Sequence, residues 1–95
     1  MDEIYECPQC NQKITIPSEI DRAAQLELAE LVHMGRRIDA IAVIIAKYKL
    51  GLLDSKIMMT HITVQKDICV RCGSKLLEDG VTNCASCSAL NLNWQ

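Results

Sequence analysis

Phenylalanine is absent from the 95 residues, and Tyr5, Tyr48 and Trp94 are the only aromatic side chains. A core without rings must be aliphatic, and single-stranded nucleic acid is denied the stacking platforms it needs. A cationic surplus is missing as well. Ten Lys and Arg stand against twelve Asp and Glu, a formal charge of −2, whereas phosphate contacts demand an excess of basic groups. Four thiolates around a divalent ion would deepen that deficit by about two charges. No long hydrophobic run is present either: the longest, residues 40–46, has seven residues against the roughly 20 of a membrane-spanning helix. The start carries Asp2 and Glu3 in place of the basic and apolar regions of a secretory signal. The expectation is a cytoplasmic protein with reduced thiols and no membrane partner. No Ser-His-acid set, phosphate-cradling glycine loop or three-ligand metal site with an open position is legible, so no enzymatic activity is expected.

What is present in quantity is cysteine. A 10.6 kDa chain buries a modest share of its surface and usually needs a staple, and six cysteines offer one. All lie in residues 1–17 and 65–95, while residues 18–64 hold none. The chain therefore divides into a cysteine-bearing N-terminal hairpin (1–17), a helical unit (18–64) and a cysteine-bearing C-terminal segment (65–95). The fold class expected is a small metal-stapled α+β protein, a three-helix unit flanked by knuckle and ribbon β-hairpins.

Within the helical unit, Ser18 and Asp21 suit an N-terminal cap, and Ile20, Ala23, Ala24, Leu28, Leu31 and Val32 recur at helical spacing before Gly35, a left-handed stop. These predict a helix over about 19–33. A second, over about 37–49, contains the apolar run at 40–46 and is greasy around most of its circumference. A third, over 54–63, carries Leu53, Ile57, Met58, His61 and Ile62 on or near one stripe. Helix 2 has more apolar surface than two short neighbours easily cover, which makes Ile44 and Ile45 candidate interface residues.

Three Cys-x2-Cys pairs occur, Cys7/Cys10, Cys69/Cys72 and Cys84/Cys87. Two intervening residues let a tight knuckle present both sulfurs to one ion, and the residue that follows often needs a positive φ. Gly73 supplies this freely, Asn11 tolerates it and Ser88 suits it least. Cys69-x2-Cys72-x11-Cys84-x2-Cys87 has the spacing of a four-thiolate tetrahedral site, with zinc favoured over iron. Asp79-Gly80 between the pairs predicts a hairpin turn joining Lys75-Leu76-Leu77 to Val81-Thr82. Cys7/Cys10 is a second knuckle with extended flanks, Ile4-Tyr5-Glu6 and Lys13-Ile14-Thr15-Ile16. Its completion stays open between Cys69/Cys72, a helical histidine (His33 or His61), a second copy of the chain, and no metal at all.

Two resemblances follow from these residues. Residues 67–92 resemble the short zinc ribbons of bacterial proteins, which implies one structural Zn2+ site and leaves room for a second. Residues 35–62 resemble part of the C-terminal domain of the ribosomal stalk protein, through Ile38, Ile41, Leu50, Gly51, Leu52 and Lys56 in register. That likeness implies a similar helical hairpin, with Arg37 and Lys56 at two of the family's basic contact positions, although Ala42 and Ile45 replace two others and the family's flanking strands are absent. The function expected is a zinc-stabilised, non-catalytic interaction module that binds an as yet unidentified protein or a second copy as a homodimer. The alternative is a nucleic-acid-binding ribbon of ribosomal or transcriptional setting.

Overall fold

Pro17 ends the first extended segment, and the helix after it begins where a side chain can satisfy its orphan amides. In the computed structural model, which describes residues 2–95, that side chain is Asp21: its carboxylate accepts from Ala24 N–H at 2.9 Å. Helix α1 accordingly spans Arg22–His33, and the start expected near residue 19 is corrected. Ser18 lies within a turn in which Ile20 N–H bonds Pro17 O, so its hydroxyl is one turn too early to cap. The stop is where the glycine placed it. Gly35 has φ +78, its N–H bonds Val32 O at 3.1 Å, and Arg36 N–H reaches back to Leu31 O at 2.8 Å, the paired bonds of a Schellman cap.

Helix α2 (Arg37–Tyr48) ends on Lys49 in the left-handed region, and α3 (Leu52–His61) starts two residues before the expected position, on the extended Gly51. Packed between α1 and α3, α2 buries Ala40 and Ile44 completely. The expectation that Ile44 lies at an interface is therefore wrong, since it is 0 % exposed in the common core. Ile45 is half-buried. Much of the apolar run that pointed to a partner is alanine, and the outward-facing Ala42 and Ala46 present little greasy area to water.

Two antiparallel hairpins complete this small α+β fold. Strand β1 (Glu3–Cys7) pairs with β2 (Gln12–Ile16), Glu3 opposite Ile16 and Cys7 opposite Gln12. Strand β3 (Gly80–Asn83) pairs with β4 (Leu90–Asn93), Gly80 opposite Asn93 and Asn83 opposite Leu90. The second hairpin therefore turns around the Cys84/Cys87 knuckle, and the turn expected at Asp79-Gly80 is corrected. Gly80, at φ +74, opens β3, and Lys75 instead bridges Ile68 around the other knuckle. The knuckle closes its own internal bond, and β4, buried along its whole length, is a better partner for β3 than a segment whose Lys75 and Leu77 are exposed.

Strand β4 is the spine of the molecule. All four residues are buried, and they alternate Leu and Asn. Leu92 bridges Ile62 in parallel, with Thr63 N–H on Leu92 O at 3.1 Å. Trp94, 1 % exposed, lies in the same core as Ile14, Leu28, Ile44 and Met58, and its carbonyl accepts from Arg22. Each such fully buried aliphatic side chain contributes about 1.5–3 kcal/mol. The three stretches that composition separates thus share one core. No helix among the described residues is long and apolar enough to cross a membrane.

Candidate metal centres

Each Cys-x2-Cys pair folds the same way because the backbone closes the same ring. Asn11 N–H bonds Cys7 O at 2.8 Å, Gly73 N–H bonds Cys69 O at 3.2 Å, and Ser88 N–H bonds Cys84 O at 2.8 Å. The residue closing each ring has positive φ: 56° at Asn11, 77° at Gly73 and 67° at Ser88. Both sulfurs of a pair are thereby turned to one side before any ion arrives.

The two C-terminal knuckles face each other. Cys69 Sγ lies 3.6 Å from Cys87 Sγ and Cys72 Sγ lies 3.5 Å from Cys84 Sγ, and all four ligand atoms fall within 4.8 Å of one another. Metal–sulfur bonds of about 2.3 Å at tetrahedral angles require edges of about 3.8 Å, so the donor set fits a metal ion with little movement. None of the six cysteines is in a disulfide.

Electrostatics point the same way. Burial opposes ionisation of Cys69, but the Cys72 N–H, the Asn91 amide and the Arg71 N–H outweigh it and bring the thiol down to about 6. Asn91 donates to that sulfur at 3.4 Å. Bonds from Ser74 lower Cys72 as well. Cys87 goes the other way: the Ala89 N–H favours its thiolate, yet burial and the sulfurs of Cys72, Cys69 and Cys84 push it up to about 12. The four thiols therefore resist ionising together unless a cation stands among them.

The sulfurs of the N-terminal knuckle group with neither of the other pairs. Its sulfurs converge with His61, the last residue of α3, within 4.8 Å. Among the completions left open, Cys69/Cys72 is excluded by its engagement with Cys84/Cys87. His33 is elsewhere, its Nδ1 2.7 Å from Val64 O. His61 Nδ1 lies 2.7 Å from Ile57 O, an acceptor that Nδ1–H can bond, which leaves Nε2 turned toward Cys10 Sγ at 3.5 Å as the atom that would reach a metal. A carbonyl that fixes the tautomer in this way is the usual support behind a metal-bound histidine. A tetrahedral metal with one sulfur and one nitrogen donor requires an edge of about 3.5–3.6 Å. Burial disfavours the Cys7 thiolate, but N–H groups of Leu90 and Cys10, with His61 and Gln9, bring it down to about 6. Cys10 is raised by burial and by the neighbouring Cys7. A three-ligand cluster is therefore present, completed by one of the two helical histidines left open by the sequence, and it corrects the expectation that the chain has no three-ligand site able to hold a metal.

The two clusters are joined. Leu90 N–H donates to Cys7 Sγ at 3.4 Å, and the Gln9 side-chain amide donates to the Cys87 carbonyl. Sequence reasoning missed the asparagines that hold this arrangement. Asn91 accepts from Val70 N–H at 2.8 Å while donating to Cys69 Sγ and to Ala89 O. Asn93 accepts from Asp67 N–H and donates to Asp67 Oδ1 and Glu78 O, pinning the loop ahead of the first knuckle. The strict Leu-Asn-Leu-Asn alternation of residues 90–93 was the available signal. Of the remaining candidates, Arg37 and Lys56 are exposed on α2 and α3. No protein-family model, curated protein or solved structure matches the chain, so the likeness to the stalk domain gains no support from relatives and the metal centres rest on their own geometry.

Proposed function

We propose that the chain is a non-catalytic protein-interaction module whose fold is held by structural zinc at Cys69, Cys72, Cys84 and Cys87. The convergence of four sulfurs at tetrahedral separations carries the reading. Four protein donors close the coordination sphere, as structural sites do, and thiolate ligands from a soft donor set favour zinc among the common divalent ions. The interaction role is supported by large apolar side chains on the helical unit that the fold leaves in water: Ile38 at 83 %, Leu53 at 68 %, Leu52 at 56 % and Met34 at 55 % exposure. Arg37 and Lys56, exposed beside them in sequence, would set the polarity of a protein contact. A second copy of the chain is the first partner to test.

Native mass spectrometry of protein purified without chelator gives metal identity and subunit number together. Zinc on every chain, with dimer at micromolar concentration that Ile38→Asp or Leu53→Asp disperses, supports the module. Metal-free folded protein sinks it.

A further inference from the structure

The two clusters differ in one respect that matters chemically. Cys69, Cys72, Cys84 and Cys87 complete a tetrahedron, whereas Cys7, Cys10 and His61 supply three corners. Around the incomplete one lies a pocket of about 230 Å³, lined by those three residues together with Gln9, Gln12, Thr60 and Arg71. No fourth Cys, His, Asp or Glu joins them among the described residues. Arg71 has only donors, the Gln9 side chain is tethered to the Cys87 carbonyl of the other cluster, and the Thr60 hydroxyl donates to Ile57 O at 2.8 Å.

Charge separates the centres further. A divalent ion with four thiolates carries a net charge of about −2 and repels anions. The same ion with two thiolates and a neutral imidazole is uncharged, and Arg71, a cation on a long flexible side chain, is among the residues that line the pocket. An open metal position beside a fork of N–H donors matches a carboxylate, one oxygen to the metal and the other to the guanidinium.

Resting on the reading of the chain as a metalloprotein, we propose that Cys7, Cys10 and His61 hold a second metal ion whose fourth position opens into this pocket and takes a small carboxylate, with Arg71 as its counter-charge. The ligand class is a compact monocarboxylate, and the position holds water when none is bound.

The test loads the full chain with Co2+ and titrates it with acetate. The visible ligand-field spectrum and the relaxation of the acetate methyl protons are followed together. Two cobalt ions per chain are expected, with a saturable change in both signals. Arg71→Gln should weaken acetate roughly tenfold or more, the loss of a charge-assisted contact, without changing the cobalt content. Cys7→Ser with Cys10→Ser should retain one cobalt and lose the acetate response; where that variant fails to fold, His61→Ala and the wild-type stoichiometry still decide. A single cobalt per chain overturns the metal reading of this cluster. Two cobalts indifferent to acetate overturn the open position alone. One cobalt shared between two chains would also overturn it, by showing that a second copy fills the fourth corner. Acetate affinity unchanged in Arg71→Gln would refute the role of the guanidinium.

Discussion

Removing the metal from the C-terminal centre should unfold the helices as well as the ribbon. Cys69→Ser takes away a sulfur that is buried and accepts from Arg71 N–H and Asn91. Structural zinc is worth about 10–16 kcal/mol apparent in finger peptides. A domain of 95 residues has a total stability of about 5–14 kcal/mol, so the loss is as large as the whole margin. It cannot remain local, because β4 leaves the ribbon to become the spine of the core and Trp94 packs among residues of α1, α2 and α3. Trp94 is the single tryptophan and reports this junction directly. Chelation, or Cys69→Ser, should red-shift its emission and abolish helical circular dichroism in one coincident transition. Native-like helicity and a buried Trp94 after complete metal loss would refute the argument, and helicity surviving while Trp94 becomes exposed would show that the three stretches fold separately.

Four further outcomes follow from individual residues. Ser55, wholly buried in α3, has a hydroxyl without a partner among the described residues, so Ser55→Ala should leave stability unchanged or raise it by about 1 kcal/mol in urea denaturation; a clear loss would refute this. Ser88 closes its knuckle at φ 67°, and Ser88→Gly should stabilise the metal-bound form by about 0.5–1 kcal/mol, the relief of left-handed strain less the added chain entropy, as read from the shift in thermal midpoint. Cys69 ionises near 6 when folded against 9.0 ordinarily; its stabilising thiolate is therefore fully present above about pH 9 and lost as pH falls through 6. Zinc release to a chromogenic chelator should accordingly steepen below pH 6 by about one order of magnitude in affinity per pH unit for that sulfur, and retention unchanged down to pH 4 would contradict it. Ile44→Asp should prevent folding by burying an unpaired charge, whereas Ile38→Asp should leave the thermal midpoint within about 0.5 kcal/mol of the original in stability; the reverse order would mean that the faces of α2 are misassigned.

Some of this architecture is legible in the sequence and some is not, for physical reasons. The knuckles are local: a Cys-x2-Cys ring closes over five residues, and the need for positive φ at Asn11, Gly73 and Ser88 can be read without knowing anything distant. The Schellman cap at Gly35 is local in the same sense. Helix starts are less determined, because Ser18 and Asp21 are both competent caps and only the path of the chain after Pro17 chooses between them. The partner of Cys7 and Cys10 could be narrowed in the sequence only to four completions, His61 within one of them, since His61 lies 51 residues beyond Cys10 and nothing near either one refers to the other. The hairpin turn was misjudged because Asp79-Gly80 is a strong local signal overridden by a better strand: residues 90–93 offer leucines to the helical core and asparagines to the loops. Ile44 was misassigned because a circumference of apolar side chains says nothing of size, and on α2 the alanines take much of the outward side.

The bonds from Leu90 to Cys7 and from Gln9 to Cys87 make the occupancy of one centre a matter for the other. Filling the four-sulfur site sets Cys87 and Leu90 in place, and with them an acceptor and a donor that the first knuckle needs. If each bond is worth about 1 kcal/mol, the first ion strengthens the binding of the second by roughly 30-fold, and thermodynamic reciprocity requires the second to strengthen the first by the same factor. Half-loaded chains would then be scarce in a zinc titration, most molecules holding two ions or none. Fluctuations in available metal would be passed on by this chain as a threshold between folded and unfolded populations instead of a graded response.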